Sequence, residues 1–363
     1  MKNLLRLLLK NQHQQNRSGQ AQTEKGMTLV ELLVGSIMAF LIITPMLAFV
    51  VDMLNTDRRE QVKSNTEQDI QAAVDFIGQD LSQAIYIYDN NPATTTTTTT
   101  TPTGIPALLA GNFIPPKNAT QTPILVFWKR QQIKNAVPVN SSIKPNQCET
   151  KANANNCNDT YVLSLVAYYR FKDKNSTWCQ PSGDTCPTRI ARYEIRDGVR
   201  NPYATDPTNP YYNVSDTEDT QQPDPAFDKA FELTKPTTNV TLPAGLTDPK
   251  SGVQNPQVLV NYIDHNPPVQ ALSATECQTA LGNPSDPKDA TKNLDEETLK
   301  VTDSDKTNSF YACVDTAKNI ARVTIRGNSL RRLQDSNVPS STENSAFFPT
   351  ATVQVQGRGA LGK

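Results

Sequence analysis

The chain has 363 residues, only 37% of them hydrophobic, and its 26 prolines outnumber its 15 glycines. That balance predicts short elements joined by long irregular connections rather than two fully packed domains. A formal net charge of -1 removes bulk attraction to nucleic acid as a leading function. The two histidines are His13, near the N-terminus, and His265; a Ser/His/Asp triad or a multi-histidine metal site would have to be built around His265 alone, which argues against an enzyme.

Residues 1–26 hold Lys2, Arg6, Lys10, Arg17 and Lys25 against a single acid, Glu24, a bias that keeps a segment on the cytoplasmic side of a membrane. The densest apolar run follows at 27–51, longer than the roughly 20 residues needed to cross a hydrocarbon core, and is read as a transmembrane helix. A secretory signal would place its small-residue cleavage site after the apolar run, whereas here Lys25-Gly26 lies before it. Glu31 sits five residues into the run, where an unpaired carboxylate costs on the order of 3 kcal/mol, so it needs a partner.

The stretch Gly26-Met27-Thr28-Leu29-Val30-Glu31-Leu32-Leu33-Val34 resembles the type IV prepilin signature. The resemblance implies that a dedicated peptidase/methyltransferase cuts between Gly26 and Met27 and methylates Met27. It also implies that 1–26 is a removed leader and that Glu31 pairs with the N-terminal amine of a neighbouring subunit. The pairing is physically apt, because a carboxylate among helices in lipid is tolerated beside a cation. Met27 stands where the family more often has Phe, and the leader is longer than in many major pilins. The competing reading is an ordinary single-span anchor with an incidental glutamate.

Past the membrane, Ile70, Val74, Ile77, Leu81 and Ile85 recur at three- and four-residue spacing, which predicts an amphipathic stalk helix over 52–88. Pro45 removes one backbone donor and should bend or loosen the helix within lipid. The resemblance implies that the first half of the helix packs on other subunits and the second half on the protein's own sheet. Asp89-Asn90-Asn91-Pro92 ends the helical pattern, and eight threonines, Thr94 to Thr101, run into Pro102; residues 89–123 are therefore expected to be a disordered Thr-rich loop.

The remainder, 124–363, reads as a β-rich head. Strands are predicted at Ile124 to Trp128, Tyr161 to Phe171, Arg189 to Val199, Val258 to Ile263, Ala321 to Arg326 and Ala351 to Val355. The second and third form a hairpin, and Tyr161 to Phe171, apolar on both faces, suits a central strand covered on both sides. Asn201 to Pro256, rich in Pro, Asp, Asn and Thr, reads as an exposed excursion. The fold class is α+β: a long N-terminal helix packed on an antiparallel sheet, as in pilins.

Six cysteines, Cys148, Cys157, Cys179, Cys186, Cys277 and Cys313, all follow the apolar run, where an oxidising compartment permits disulfides. Proximity favours pairing in sequence order among fifteen arrangements; zinc, the alternative, lacks a C-x-x-C spacing. Acid-rich loops at Asp216, Glu218 and Asp219, at Asp295, Glu296 and Glu297, and at Asp303 and Asp305 match no twelve-residue calcium loop, so solvated loops are expected and no cofactor is assigned. Some pseudopilins bind calcium, so the resemblance keeps that ion in view. Arg322 and Arg326 alternate with Ala321, Val323 and Ile325, and Lys318, Arg331 and Arg332 lie near them. Such a face suits an acidic polysaccharide or a partner subunit, or is the solvated side of a strand.

A large head after the span favours a minor component over a major pilin. The layout resembles the J-type pseudopilin of type II secretion and the W-type minor pilin. Its Thr- and Asn-rich loops, its YVLSLVAYYRF strand and its QVLVNYIDH segment resemble the cyanobacterial hormogonium polysaccharide secretion pseudopilins. That resemblance implies a filament that supports polysaccharide export and gliding motility. Its partners would be other pilins and pseudopilins, an inner-membrane assembly platform and secreted polysaccharide, without nucleic acid. The protein would be single-pass in the inner membrane with its head in the periplasm, or extracellular once in a filament. The alternative is a membrane-anchored periplasmic carbohydrate-binding or carbohydrate-active protein, whose chemistry would need paired carboxylates.

Overall fold

The computed structural model describes residues 28–358, apart from 92–93, 97–98, 102–103, 149, 151–154, 175–176, 183–185, 207–208, 219–220, 228–255, 287–288, 304 and 337. The expected leader, with Gly26 and Met27, lies outside the described residues, as do His13, Asp219 and much of the predicted excursion before Pro256. The chain divides into two compact units, 1–57 and 58–363. Helix α1 spans Leu29–Ser82.

In the first unit α1 is mostly apolar on all sides from Leu29 to Val51, and every described residue from Thr28 to Asp57 is exposed. A helix whose exposed surface is mostly apolar is suited to lipid or to other helices. It is long and apolar enough to cross a membrane. The helix runs on through Pro45, which has no N–H to give the Leu41 carbonyl one turn back, and next to it the Thr44 hydroxyl donates to the Phe40 carbonyl at 2.8 Å.

In the second unit the predicted stripe is realised: Thr66, Ile70, Ala73, Val74, Ile77, Gly78 and Leu81 are buried, one face at the 3.6-residue period. The helix stops at Ser82, short of the expected residue 88, and strand β1 (Ala84–Tyr88) follows. Its sequence AIYIY alternates β-branched and aromatic side chains, which favour a pleated surface over a helix.

Two antiparallel sheets accompany the helix. The larger has the order β1-β4-β5-β6-β7, with β4 Gln121–Pro138, β5 Cys157–Phe171, β6 Thr188–Arg196 and β7 Gln257–Ile263. After a small pair, β8 Ser285–Asp286 with β9 Asp289–Asn293, the smaller sheet has the order β10-β11-β12-β13, with β10 Lys300–Val301, β11 Phe310–Asp315, β12 Ile320–Arg326 and β13 Thr350–Gln356. All six predicted strands are present, and within these two sheets β1, β10 and β11 are additions. One continuous core joins Ile70, Val74, Ile77 and Leu81 of α1 to Phe127, Tyr168 and Ile190 of the first sheet and to Phe310, Val323 and Ile325 of the second. The fold class is thus α+β, with a helix over antiparallel sheets.

Strand β5 is central and covered on both faces, since the adjacent Tyr168 and Tyr169 are both fully buried. Tyr168 faces α1, where its hydroxyl donates to Asp80 at 2.7 Å. Tyr169 points to the opposite face and donates to the Pro115 carbonyl at 2.6 Å. The cover on that face corrects the reading of 89–123 as a disordered loop. The Thr run contains a hairpin, β2 (Thr94–Thr96) with β3 (Thr99–Thr101), and a short helix α2 (Gly104–Ala110) follows. Ile105, Leu108, Phe113 and Ile114 are all in the core. Those apolar residues outweigh the threonines before them, because the second face of a two-sided strand has to be buried by something.

Disulfides join Cys148 to Cys157, Cys179 to Cys186 and Cys277 to Cys313, the sequence-order arrangement. The first closes the far end of the long β4–β5 hairpin, whose pairing runs from Gln121 with Phe171 to Pro138 with Cys157. The third ties the short helix α3 (Glu276–Ala280) to β11.

Candidate functional site

The N-terminal turn of α1 is built around Glu31. The Thr28 backbone N–H and its hydroxyl each donate to Glu31 Oε2 at 3.2 Å, and the Glu31 N–H donates to Thr28 Oγ1 at 3.3 Å. This T-x-x-E arrangement is a reciprocal capping box, which satisfies donors that a helix start leaves open. A carboxylate here also lies at the positive end of the helix dipole. Only Oε2 is engaged; Oε1 accepts no hydrogen bond from the described residues. One carboxylate oxygen therefore organises the helix start while the other is open to an external donor.

A second polar centre, which sequence reasoning missed, lies where α1 crosses the first sheet. Asp80 belongs to the buried face of α1. Its carboxylate accepts from Lys129 Nζ on β4 at 2.8 Å, from Arg192 Nε on β6 at 2.7 Å and from the Tyr168 hydroxyl on β5 at 2.7 Å. Glu194 joins through Arg192 at 2.7 Å and Lys129 at 3.5 Å. Strand alternation puts Arg192 and Glu194 on one face of β6 and pairs Arg192 with Tyr168. Burial alone would push the Asp80 carboxyl up, but Arg192 and Lys129 beside it hold it below its usual range. Glu194 is likewise lowered, its burial outweighed by the same two cations. The Arg192 guanidinium is raised, since Asp80 and Glu194 outweigh its own desolvation. Asp80 sits three residues after Ile77 and one before Leu81, inside the apolar stripe, and that register was the available signal.

The basic residues near β12 do not form an exposed face. Arg326 is buried: its Nε donates to Asp264 at 2.9 Å and its Nη2 to the carbonyls of Asn266 and Thr307 at 2.6 and 3.2 Å. Arg331 is buried too and donates to the carbonyls of Gln334 and Pro181. Arg332 pairs with Asp69, and Lys318 lies 3.5 Å from Asp315. Arg322 is half-buried, in register between Cys313 and Gln354. The reason is chemical: a guanidinium has five donors, and the irregular segments around β12 offer buried carbonyls and a carboxylate to accept them.

The acid-rich loops are solvated at Glu218, Asp295, Glu297 and Asp305, which are exposed, whereas Asp303 and Glu296 are drawn into the chain. Asp216 pairs with Lys144, and Asp305 with Lys172. The fully buried Asp303 side chain lies 3.6 Å from Arg170 and accepts from Thr307 Oγ1 at 2.6 Å. Glu296, at the start of the short helix α4 (Glu296–Leu299), accepts from the backbone N–H groups of Cys277 and Gln278. Among the described residues no group of three or more His, Cys, Asp or Glu is placed to hold a metal ion. His265 Nδ1 lies 3.1 Å from Thr188 Oγ1. Burial, with repulsion from Lys172 and Arg170, lowers its pKa to about 4, against the pull of Asp305 and Asp303.

Compared with protein-family models, with curated proteins and with solved structures, the chain matches none. Its function has to be read from its own residues.

Proposed function

We propose that this chain is a minor pseudopilin. Its apolar helix joins a helical filament in the inner membrane, and its disulfide-bearing head sits at the filament's surface or tip, supporting polysaccharide export and gliding motility. The observation that carries this reading is Glu31. A carboxylate with one oxygen open stands in the first turn of a helix whose side chains, from Thr28 to Asp57, are all exposed. In lipid such a helix gains from packing on other helices, and such a carboxylate is tolerated beside a cation. The N-terminal amine of Met27 in a neighbouring subunit, freed by cleavage after Gly26, would be that cation, and the pairing would set the register between helices. The cationic leader would stay cytoplasmic, which orients the head outward.

Mass spectrometry of membrane-extracted protein should find an N-methylated Met27 as the first residue. Glu31→Ala should still be cleaved and inserted, keep its three disulfides, yet fail to enter filaments and lower polysaccharide export. Intact residues 1–26 in cells with an active prepilin peptidase, or normal assembly of Glu31→Ala, would sink the proposal.

A further inference from the structure

The outer strands of the two sheets are β1 and β7 in the larger and β10 and β13 in the smaller. Three of them are occupied or cut short. The Thr316 hydroxyl donates to the Ile87 carbonyl of β1 at 2.9 Å and Asn319 Nδ2 to the Ala84 carbonyl at 3.1 Å. The Asn328 N–H donates to the Tyr262 carbonyl of β7 at 2.8 Å, and β10 is two residues long and carries Lys300. Strand β13 differs: its seven residues, TATVQVQ, contain no charge and no proline, and its register with β12 runs without a bulge. Natural sheets usually protect a long outer strand by one of those devices.

Which backbone groups β13 leaves open follows from its ladder. Alternate residues of an antiparallel pair exchange both hydrogen bonds with the partner strand, and the residues between them turn both groups away. The Gly357 N–H donates to the Asn319 carbonyl at 2.8 Å, and the Gly327 N–H to the Pro349 carbonyl at 2.9 Å. With Val323 opposite Val353, the same phase bonds Ala351, Val353 and Val355 to β12. Thr350, Thr352, Gln354 and Gln356 therefore present their N–H and C=O groups outward, where they pair with no other backbone group among the described residues. Their side chains are exposed, whereas Ala351, Val353 and Val355 pack half-buried against the core. A Cβ at Gly78 would lie 3.2 Å from Val353 Cγ2, so α1 lies directly over this strand.

A row of outward N–H and C=O groups at every second residue is matched by another extended chain. A second copy of β13 is the first candidate, since TATVQVQ pairs with itself antiparallel about Val353, with Thr352 opposite Gln354 and Ala351 opposite Val355, in the phase that the open groups require. That pairing rotates the second copy by half a turn about an axis through the sheet and reverses its α1, which two chains held in one membrane by their apolar helices cannot do. A parallel pairing of two β13 edges puts their valines on opposite faces of the joint sheet, leaving one row in water. A strand from a different protein meets neither obstacle.

We infer that β13 accepts, as a fifth strand of the smaller sheet, an extended segment of a different protein, with apolar side chains at alternate positions to continue the row of Ala351, Val353 and Val355 and uncharged polar ones between them. The inference rests on the membrane anchor and not on assembly into filaments. The probe is a fluorescein-labelled peptide copying residues 349–357, which has the right alternation and no helix, titrated into full-length protein in detergent and followed by anisotropy. It should bind with a Kd on the order of 100 μM. N-methylation of the peptide at positions 352 and 354 removes donors that face the head and should weaken binding about tenfold, whereas N-methylation at 351 and 353, which face away, should leave it unchanged. In the protein, Gln354→Pro removes an N–H that β12 does not use, so the unfolding midpoint should hold while affinity falls about tenfold; Gln354→Thr should retain binding. In native membranes, a photo-crosslinking side chain at position 354 should give an adduct with a different protein, and a peptide copying the attached segment should show the same alternation of N-methyl effects. No binding of the 349–357 peptide up to on the order of 10 mM, equal binding of the two methylated peptides, unchanged affinity in Gln354→Pro, or a cross-link confined to this chain or to a second copy of it would overturn the assignment.

Discussion

Replacing Asp80 by alanine should be among the most damaging single changes in the head. The Asp80 carboxylate accepts three hydrogen bonds, from Lys129, Arg192 and Tyr168. The Lys129 and Arg192 side chains are only 10% and 9% exposed. Without Asp80, two largely desolvated cations would share Glu194, and the Tyr168 hydroxyl would lose its acceptor. Removing one partner of a buried ion pair costs about 3–5 kcal/mol, a large share of the roughly 5–15 kcal/mol that holds a domain folded. Urea unfolding of full-length protein in detergent, followed by tryptophan fluorescence from Trp128 and Trp178, reads the loss directly. The same principle predicts a rescue: Asp80→Leu combined with Lys129→Met, Arg192→Met, Glu194→Met and Tyr168→Phe should recover most of it, because a buried ion cluster replaced as a whole by apolar residues, with no charge or hydroxyl left unpaired, costs little. An Asp80→Ala head within about 1 kcal/mol of wild type would mean that water reaches the cluster and that the charges are screened.

The disulfides should differ in weight. The bridge between Cys277 and Cys313 spans 36 residues of sequence and that between Cys179 and Cys186 spans 7; loop-closure entropy then makes removal of the first pair costlier by about 1.5 kcal/mol, measurable by comparing the two double-alanine variants in denaturant. His265 should make the head acid-sensitive. Its folded pKa, lowered to about 4 by burial and by Lys172 and Arg170 against Asp305 and Asp303, lies below the unfolded value of about 6.5. As pH falls between those two values the unfolded chain binds the extra proton, so stability drops, by at most about 1.4 kcal/mol per pH unit. His265→Asn should flatten that slope, and an unchanged slope from pH 6.5 to 4 would show that the imidazole is hydrated.

What the sequence revealed, and what it concealed, follows from the range of the interactions. The α1 stripe and the six predicted strands were readable because periodicity is written in neighbouring residues. The end of the helix at Ser82 turned on AIYIY, where a helical spacing at Ile85 competes with β-branched and aromatic propensity, and the strand won once β4 was there to pair with β1. The 104–116 segment was misjudged because the threonine tract before it dominates the composition, although Ile105, Leu108, Phe113 and Ile114 form an apolar set in their own right. The Asp80 cluster was the least legible. Its members lie on α1, β4, β5 and β6, between 49 and 112 residues from Asp80, and only the sheet order brings them together. The basic residues around β12 misled for a related reason, since alternation along a strand does not say whether the polar side meets water or buried carbonyls.

The two ends of α1 depend on different partners, and that gives the Glu31 and Asp80 substitutions opposite signatures. From Thr66 to Leu81 the helix is held within its own chain, by a buried apolar stripe and by the three bonds to Asp80. From Thr28 to Asp57 every described side chain is exposed, a surface that in the proposed assembly would pack on lipid and on neighbouring helices. Glu31→Ala removes half of a capping box, worth about 1 kcal/mol locally, and touches nothing in the core. The head of that variant should therefore unfold at the wild-type denaturant concentration while its assembly fails. Asp80→Ala should be processed and inserted normally, yet its head should unfold earlier and be cleaved faster by added protease. If instead Glu31→Ala destabilises the head as much as Asp80→Ala does, the helix carries strain from its first turn into the core, and the assignment of its two ends to different partners is wrong.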